Sequence, residues 1–154
     1  MIPKIDLAAL TEGDNAALEA MQGAATDVGF ATVYNTALTE AKVSEVIETY
    51  RAFFKLPDAQ KAAYDMAKTG SNRGWGAAGT EQVDPDANPD YKQYFDSGVS
   101  LPEGDMRRNM AVYAPNIWPE TPAGFGETIR QYYDDARVVA MDVLRGVAQS
   151  IGAP

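Results

Sequence analysis

The residue types best suited to chemistry gather between Thr69 and Pro119. Gly74-Trp75-Gly76-Ala77-Ala78-Gly79 spells G-x-G-x-x-G, which cradles a dinucleotide pyrophosphate when a strand precedes it, a helix follows and an acidic residue lies further on. Here polar Thr69 to Asn72 comes before and Thr80 to Pro89 comes after without helical periodicity, so a glycine-rich loop carrying one buried tryptophan is the better account. Asp84-Pro85-Asp86-Ala87-Asn88-Pro89-Asp90 sets oxygen ligands at alternate positions, as a calcium loop does in its first half. Pro89 stands where that loop needs glycine and Phe95 where it needs glutamate, so a solvated acidic turn is expected. Arg107-Arg108 is the only cationic doublet; with Arg73 and Lys92 it would make a small positive spot, and an arginine facing a pocket would clamp a carboxylate through two parallel hydrogen bonds. Trp75, Tyr91, Tyr94, Phe95, Tyr113 and Trp118 crowd the same stretch. Most read as packing residues, and a minority lining an apolar pocket beside Arg73 would suit a small organic acid.

Two absences narrow the chemistry further. The 154 residues include no histidine and no cysteine, which removes the commonest neutral-pH base and the usual nitrogen ligand of zinc, copper and non-haem iron. Ser-His and Cys-His nucleophile pairs, zinc fingers and iron-sulfur clusters go with them, and any metal held here would be oxygen-ligated. Thirteen Lys plus Arg against twenty-two Asp plus Glu give a net charge of -9, the wrong sign for nucleic acid or an anionic membrane surface. No apolar run reaches the roughly 18 residues of a membrane span, and Met1-Ile2-Pro3-Lys4-Ile5-Asp6 lacks a signal peptide's apolar core, so the expectation is a cytoplasmic protein. With 45% hydrophobic and 23% charged residues, residues 1–154 read as one globular domain.

The elements that must hold these residues follow from periodicity. Ile2 to Leu7 alternates as a short strand, Asp14 or Asn15 can cap a helix with Leu18, Met21, Ala25 and Val28 on one face, and Gly29 ends it. Phe30 to Tyr34 is β-branched and aromatic, a second strand, with Asn35 supplying turn chemistry. A helix from near Thr39 carries Val43, Val46, Ile47, Tyr50 and Phe54 on one face until Pro57, and a shorter one spans about Asp58 to Met66. In the irregular middle only Lys92 to Ser97 and Met110 to Tyr113 look strand-like. Thr121-Pro122 reads as a cap with proline at the first helical position, opening one long helix with Phe125, Ile129, Tyr132, Ala136, Val139, Val143, Val147 and Ile151 at helical spacing, closed by Gly152. The fold class is therefore α+β, a mainly helical scaffold with a long C-terminal helix and a few short strands. Strands so few need partners, and ending at Gly152-Ala153-Pro154 is what a first domain or a shortened chain would show.

Taken in order, several segments resemble the N-terminal domain of isopenicillin N synthase-like non-haem iron(II), 2-oxoglutarate-dependent oxygenases. Ile2-Pro3-Lys4-Ile5-Asp6-Leu7 is similar to the family's I-P-x-I-D-L strand, Val28-Gly29-Phe30 with Val33-Tyr34-Asn35 to its V-G-F-x-x-V-x-N stretch, and Phe53-Phe54-Lys55-Leu56-Pro57 to its F-F-x-L-P helix break. Arg73-Gly74-Trp75, Gly79-Thr80-Glu81, Asp90-Tyr91-Lys92-Gln93-Tyr94-Phe95 and Asn116-Ile117-Trp118-Pro119 fall in the order of its R-G-Y, G-x-E, D-x-K-E-x-F and N-x-W-P motifs. Each motif is weak alone; their collinearity along the whole chain is strong. After Asn35 the family has His-Gly, and Thr36-Ala37 stands here instead.

The resemblance implies a half-enzyme. The family's His-x-Asp pair, distant His and Arg-x-Ser clamp for 2-oxoglutarate belong to a downstream jelly-roll domain, whose sheet the short strands here would join. It implies that iron(II) and 2-oxoglutarate serve the full-length enzyme and that neither is bound by this chain. Arg73, Trp75 and Tyr94 are the implied substrate-binding positions, with Arg73 taking an acidic group, while Asn116, Trp118 and Pro119 anchor the loop that feeds the long helix. The implied partners are a small-molecule substrate and the chain's own C-terminal catalytic domain, and the implied reaction is hydroxylation, desaturation or ring closure. The alternative is a complete non-catalytic module that binds a ligand or protein; a third is an enzyme that lost its second domain by proteolysis.

Overall fold

The computed structural model describes residues 1–82 and 88–153. In chain order its regular elements are β1 (Lys4–Asp6), α1 (Leu7–Thr11), α2 (Asn15–Gly23), β2 (Thr32–Tyr34), α3 (Glu40–Phe54), α4 (Asp58–Lys61), β3 (Gly74–Gly76), β4 (Tyr94–Asp96) and α5 (Phe125–Ser150), with short 3-10 turns in the middle region. The chain forms two compact units, one from Met1–Val46 with the residues from Ile129 onward, the other from Ile47–Thr128. The α+β, mainly helical class with one long C-terminal helix stands, and no helix among the described residues is long and apolar enough to cross a membrane.

In the first unit β1 and β2 pair in parallel, Ile5 opposite Val33. The strand runs straight into α1, a helix that the short periodic run did not announce. Asp6 makes that junction: its carboxylate accepts the Ala8 and Ala9 N–H groups at 3.0 and 3.3 Å, satisfying donors that the first helical turn leaves unpaired. Asp14 caps α2 in the same way, accepting from Ala17 at 2.9 Å. Beyond Gly23 the helix widens, the Gly29 N–H reaching back five residues to the Ala24 carbonyl at 2.8 Å before Gly29 turns at φ 77°. This wider turn rotates the face that a 3.6-residue period predicts. Ala24 is buried in place of Ala25, and Val28 is exposed. Ile5, Leu7, Leu10, Met21 and Val139 form the core, with Leu18, Val143 and Val147 against it. Gly146 of α5 is small because Leu10 lies on it: a Cβ there would sit 2.3 Å from a Leu10 methyl carbon.

The second unit has an aromatic core. Phe53, Phe95 and Phe125 meet pairwise with ring centroids 5.1–5.4 Å apart, and Tyr50 and Phe54 extend the cluster. Val43, Val46, Tyr50 and Phe54 of the expected α3 face are half-buried, but Ile47 is exposed and Phe53 is fully buried instead; Ile47 follows Val46 by one residue and so lies about 100° round the helix from it. Three further expectations are corrected. The helix from Asp58 narrows to a 3-10 turn at Ala62–Tyr64 and stops, because Asp65 turns extended and bridges to Trp75. Met110 to Tyr113 is no strand but a 3-10 turn at Ala111–Tyr113, its Tyr113 N–H bonded back to Met110 and its Val112 carbonyl bonded to Arg73. Pro122 does not open α5: Gly124 stands between them at φ 79°, a conformation no right-handed helix contains, and the helix begins at Phe125.

Candidate functional site

The glycine-rich segment forms a strand. β3 and β4 pair antiparallel, Gly74 opposite Asp96, Trp75 opposite Phe95 and Gly76 opposite Tyr94. Side chains alternate across a strand, so Trp75 and Phe95 turn to the aromatic core while Tyr94 and Asp96 stand on the other face. Close approach explains the glycines. A Cβ on Gly76 would fall 2.2 Å from the Tyr94 ring, and one on Gly74, at φ 114°, would fall 2.3 Å from the Tyr64 carbonyl oxygen. The G-x-G motif therefore serves backbone and ring contact.

Two adjoining clefts open on the Tyr94 face. One of about 370 Å³ is lined by Asp65, Met66, Ser71, Gly76, Thr80 and Tyr94 among others. The second, about 570 Å³, shares Met66, Asn72, Thr80 and Tyr94 with its neighbour and adds Glu81, Lys92 and Asp96. Lys92 is held by Glu81 at 2.8 Å and Asp90 at 3.2 Å, and these carboxylates raise its pKa above the ordinary lysine value. The Gly79 N–H to Asp90 carbonyl bond at 2.8 Å and the Asp90 N–H to Glu81 carbonyl bond at 2.9 Å close the base of the intervening loop. The expected acidic turn beginning at Asp84 lies outside the described residues.

The three positions singled out by resemblance occupy different places. Tyr94 lines both clefts. Trp75 is 4% exposed and donates its indole N–H to Gln93 Oε1 at 3.1 Å. That oxygen also accepts from the Lys61 ammonium at 2.6 Å, and Lys61, 2% exposed, lies 5.3 Å over the Trp75 ring while bonding the Phe54 carbonyl and Asp58. Arg73 lines neither cleft; its guanidinium donates to the Asn72 carbonyl at 2.9 Å and the Val112 carbonyl at 2.7 Å, and its Nε is buried without a partner among the described residues. Gly98 lies against that guanidinium with no room for a Cβ. Asn116 clamps Gly98 from both sides, accepting its N–H at 2.8 Å and donating to its carbonyl at 2.7 Å, so the 98–116 loop and Arg73 are one buttress.

Motif reading missed Asp96 and Lys61 and gave Gln93, though inside the D-x-K-E-x-F match, no role. Asp96 was within reach, since it lies two residues past Tyr94 on a strand. Tyr50 hydrogen-bonds Ser97 nearby; burial raises its pKa most, the Asp96 charge adds to the rise, and the Ser97 bond opposes it. The Arg107-Arg108 doublet lines neither of these clefts: Arg107 forks onto Asp105 at 2.6–3.2 Å, holding that carboxyl's pKa at about 2.

Residues 2–121 match the family described as non-haem dioxygenase in morphine synthesis N-terminal. The chain belongs to this family of dioxygenase N-terminal domains. The domain is 31% identical over 157 residues to a 2-oxoglutarate-dependent dioxygenase, frbJ, of Dothideomycetidae sp. (strain 11243), covering 99% of this chain and 42% of the relative. It is 29% identical over 141 residues to an Arabidopsis thaliana homoarginine-6-hydroxylase, covering 89% and 41%. Its fold matches the crystal structure of a full-length Neurospora crassa protein in complex with alpha-KG at a TM-score of 0.78 and 27% identity, over 99% of this chain and 47% of that one. The dioxygenase N-terminal domain thus spans less than half the length of these relatives. Its residues do not fit an iron centre of the two-His, one-carboxylate kind: the sequence has no imidazole, and among the described residues no three His, Cys, Asp or Glu side chains gather to hold a metal.

Proposed function

We propose that this domain forms one wall of the substrate pocket of an iron(II)- and 2-oxoglutarate-dependent oxygenase, whose metal and 2-oxoglutarate are held by a downstream jelly-roll domain. The reaction class is oxidative C–H functionalisation of a small organic molecule: hydroxylation, desaturation or ring closure. The carrying observation is the Tyr94 face of the β3–β4 pair, a concave polar and aromatic surface within a chain of this family. Tyr94 supplies the ring that meets the substrate. Trp75 and Arg73 work from behind it, Trp75 fixing the hairpin to the core and Arg73 fixing the loops around it. β1 and β2, which pair only with each other among the described residues, extend the sheet of the second domain.

The test uses a protein in which residues 1–154 are followed by an oxygenase jelly-roll domain. Tyr94→Ala raises the substrate KM about tenfold, while succinate released without substrate is unchanged. An unaltered KM removes this face from the pocket.

A further inference from the structure

The outer face of β4 carries a charge that no group among the described residues neutralises. Tyr94 and Asp96 lie two residues apart on one face of a strand, and both line the 570 Å³ cleft. The other charged groups of the two clefts are engaged. Lys92 lies between Glu81 and Asp90, and Asp65 accepts the Ala67 N–H at 2.8 Å as a helix cap. Asp96 makes no side-chain hydrogen bond or ion pair among the described residues. Arg73, the cation that would welcome an acid, turns its guanidinium to backbone carbonyls outside both clefts.

Resting on the reading that this cleft takes the substrate, we propose that Asp96 is a specificity residue selecting molecules with a cationic nitrogen, ammonium or guanidinium, carried on an apolar or aromatic body that meets the Tyr94 ring. A carboxylate at the wall of a concave site attracts such a group and repels an anion, and the chain's net charge of -9 acts in the same sense at longer range. The selectivity is thus opposite to that expected from Arg73 as an acid clamp.

The experiment titrates the 154-residue chain with benzylammonium, benzyl alcohol and benzoate, three probes of one shape and different charge, followed by amide NMR shifts. Benzylammonium moves the resonances of Asn72, Thr80, Tyr94 and Asp96 and binds about fivefold more tightly than benzyl alcohol, and benzoate binds most weakly. Asp96→Asn removes the advantage of benzylammonium over benzyl alcohol and leaves the alcohol's affinity unchanged; Asp96→Ser does the same, and either spectrum reports whether the fold is kept. If the probes reach the cleft with no order by charge, or the order survives both variants, the role of Asp96 is overturned while the cleft reading stands. If no probe moves the cleft resonances, the cleft reading fails and this inference falls with it.

Discussion

The two units solve the same burial problem with different materials. The first builds an aliphatic core from helix and strand faces, and its tight contact, Gly146 against Leu10, is between a helix backbone and a side chain. The second builds an aromatic core and then fixes a glycine strand against a backbone carbonyl, with a buried lysine bridging helix and hairpin. The first can adjust; the second is determined by contacts that cannot move. The proposed pocket wall, which would present Tyr94 and Asp96 at a fixed place, would gain from the second kind of construction.

The sharpest way to break that contrast is one methyl group placed in each unit. Gly74→Ala puts a Cβ on the Tyr64 carbonyl at a φ that L side chains rarely adopt, so it destabilises the second unit by on the order of 4 kcal/mol. Urea unfolding followed by tryptophan fluorescence reads this directly, since Trp75 and Trp118 both belong to that unit. A loss below about 1 kcal/mol would mean the hairpin is as adjustable as the helices.

Gln93 tests the polar half of the same unit. Gln93→Leu leaves the buried Lys61 ammonium and the Trp75 indole N–H without their shared acceptor, a loss of about 2–3 kcal/mol. Gln93→Glu keeps an acceptor for both donors and leaves stability unchanged or higher. The two variants read by the same fluorescence transition separate a hydrogen-bond role from simple bulk: equal losses would refute the bridge.

These residues mark the limit of what the sequence makes legible. β1, α2, β2, α3 and α5 follow from local periodicity, and α2 also from its Asp14 cap, because a helix or strand face repeats along the chain. β3 does not, since three residues of which two are glycine acquire strand geometry only from Tyr64, Phe95 and Tyr94, distant in sequence. The collinear motifs singled out Tyr94, which lines both clefts, and alternation from Tyr94 leads to Asp96. The Arg73 guanidinium was not predictable in the same way: its direction depends on the Val112 carbonyl, in a segment whose apolar residues imitate a strand. The wide turn at Ala24–Val28 was equally hidden, since it shifts a face without altering composition.

In the first unit, Gly146→Ala meets the fully buried Leu10 side chain, a methyl at 2.3 Å and its Cγ at 2.6 Å, rather than backbone, so the loss is about 1–2 kcal/mol. Far-ultraviolet circular dichroism follows it, and Leu10→Ala in the same chain, by emptying the space the new methyl enters, makes the double variant less unstable than the sum of the two single ones. Strict additivity would show that the methyl and Leu10 do not meet.

The smallest effect belongs to a surface pair in the second unit, an exposed Arg107 on a half-buried Asp105, and its interest is in sign. Arg107 forks onto Asp105 and also lies 5.8 Å over the Tyr113 ring, so the Asp105 carboxyl titrates at about 2 in the folded chain against an ordinary 3.8. A depressed folded-state pKa contributes stability that is complete above the unfolded value and disappears as pH falls from about 4 towards 2. Because Arg107 is open to solvent and Asp105 only half-buried, the pair's share of stability is small. Carboxyl carbon shifts measured against pH place the Asp105 midpoint near 2, and Arg107→Gln returns it towards 3.8. A midpoint that stays near 2 in Arg107→Gln would assign the shift to the Arg107 N–H, which Asp105 also accepts as the cap of the 106–109 turn, and the surface would then owe its order to backbone capping rather than to charge.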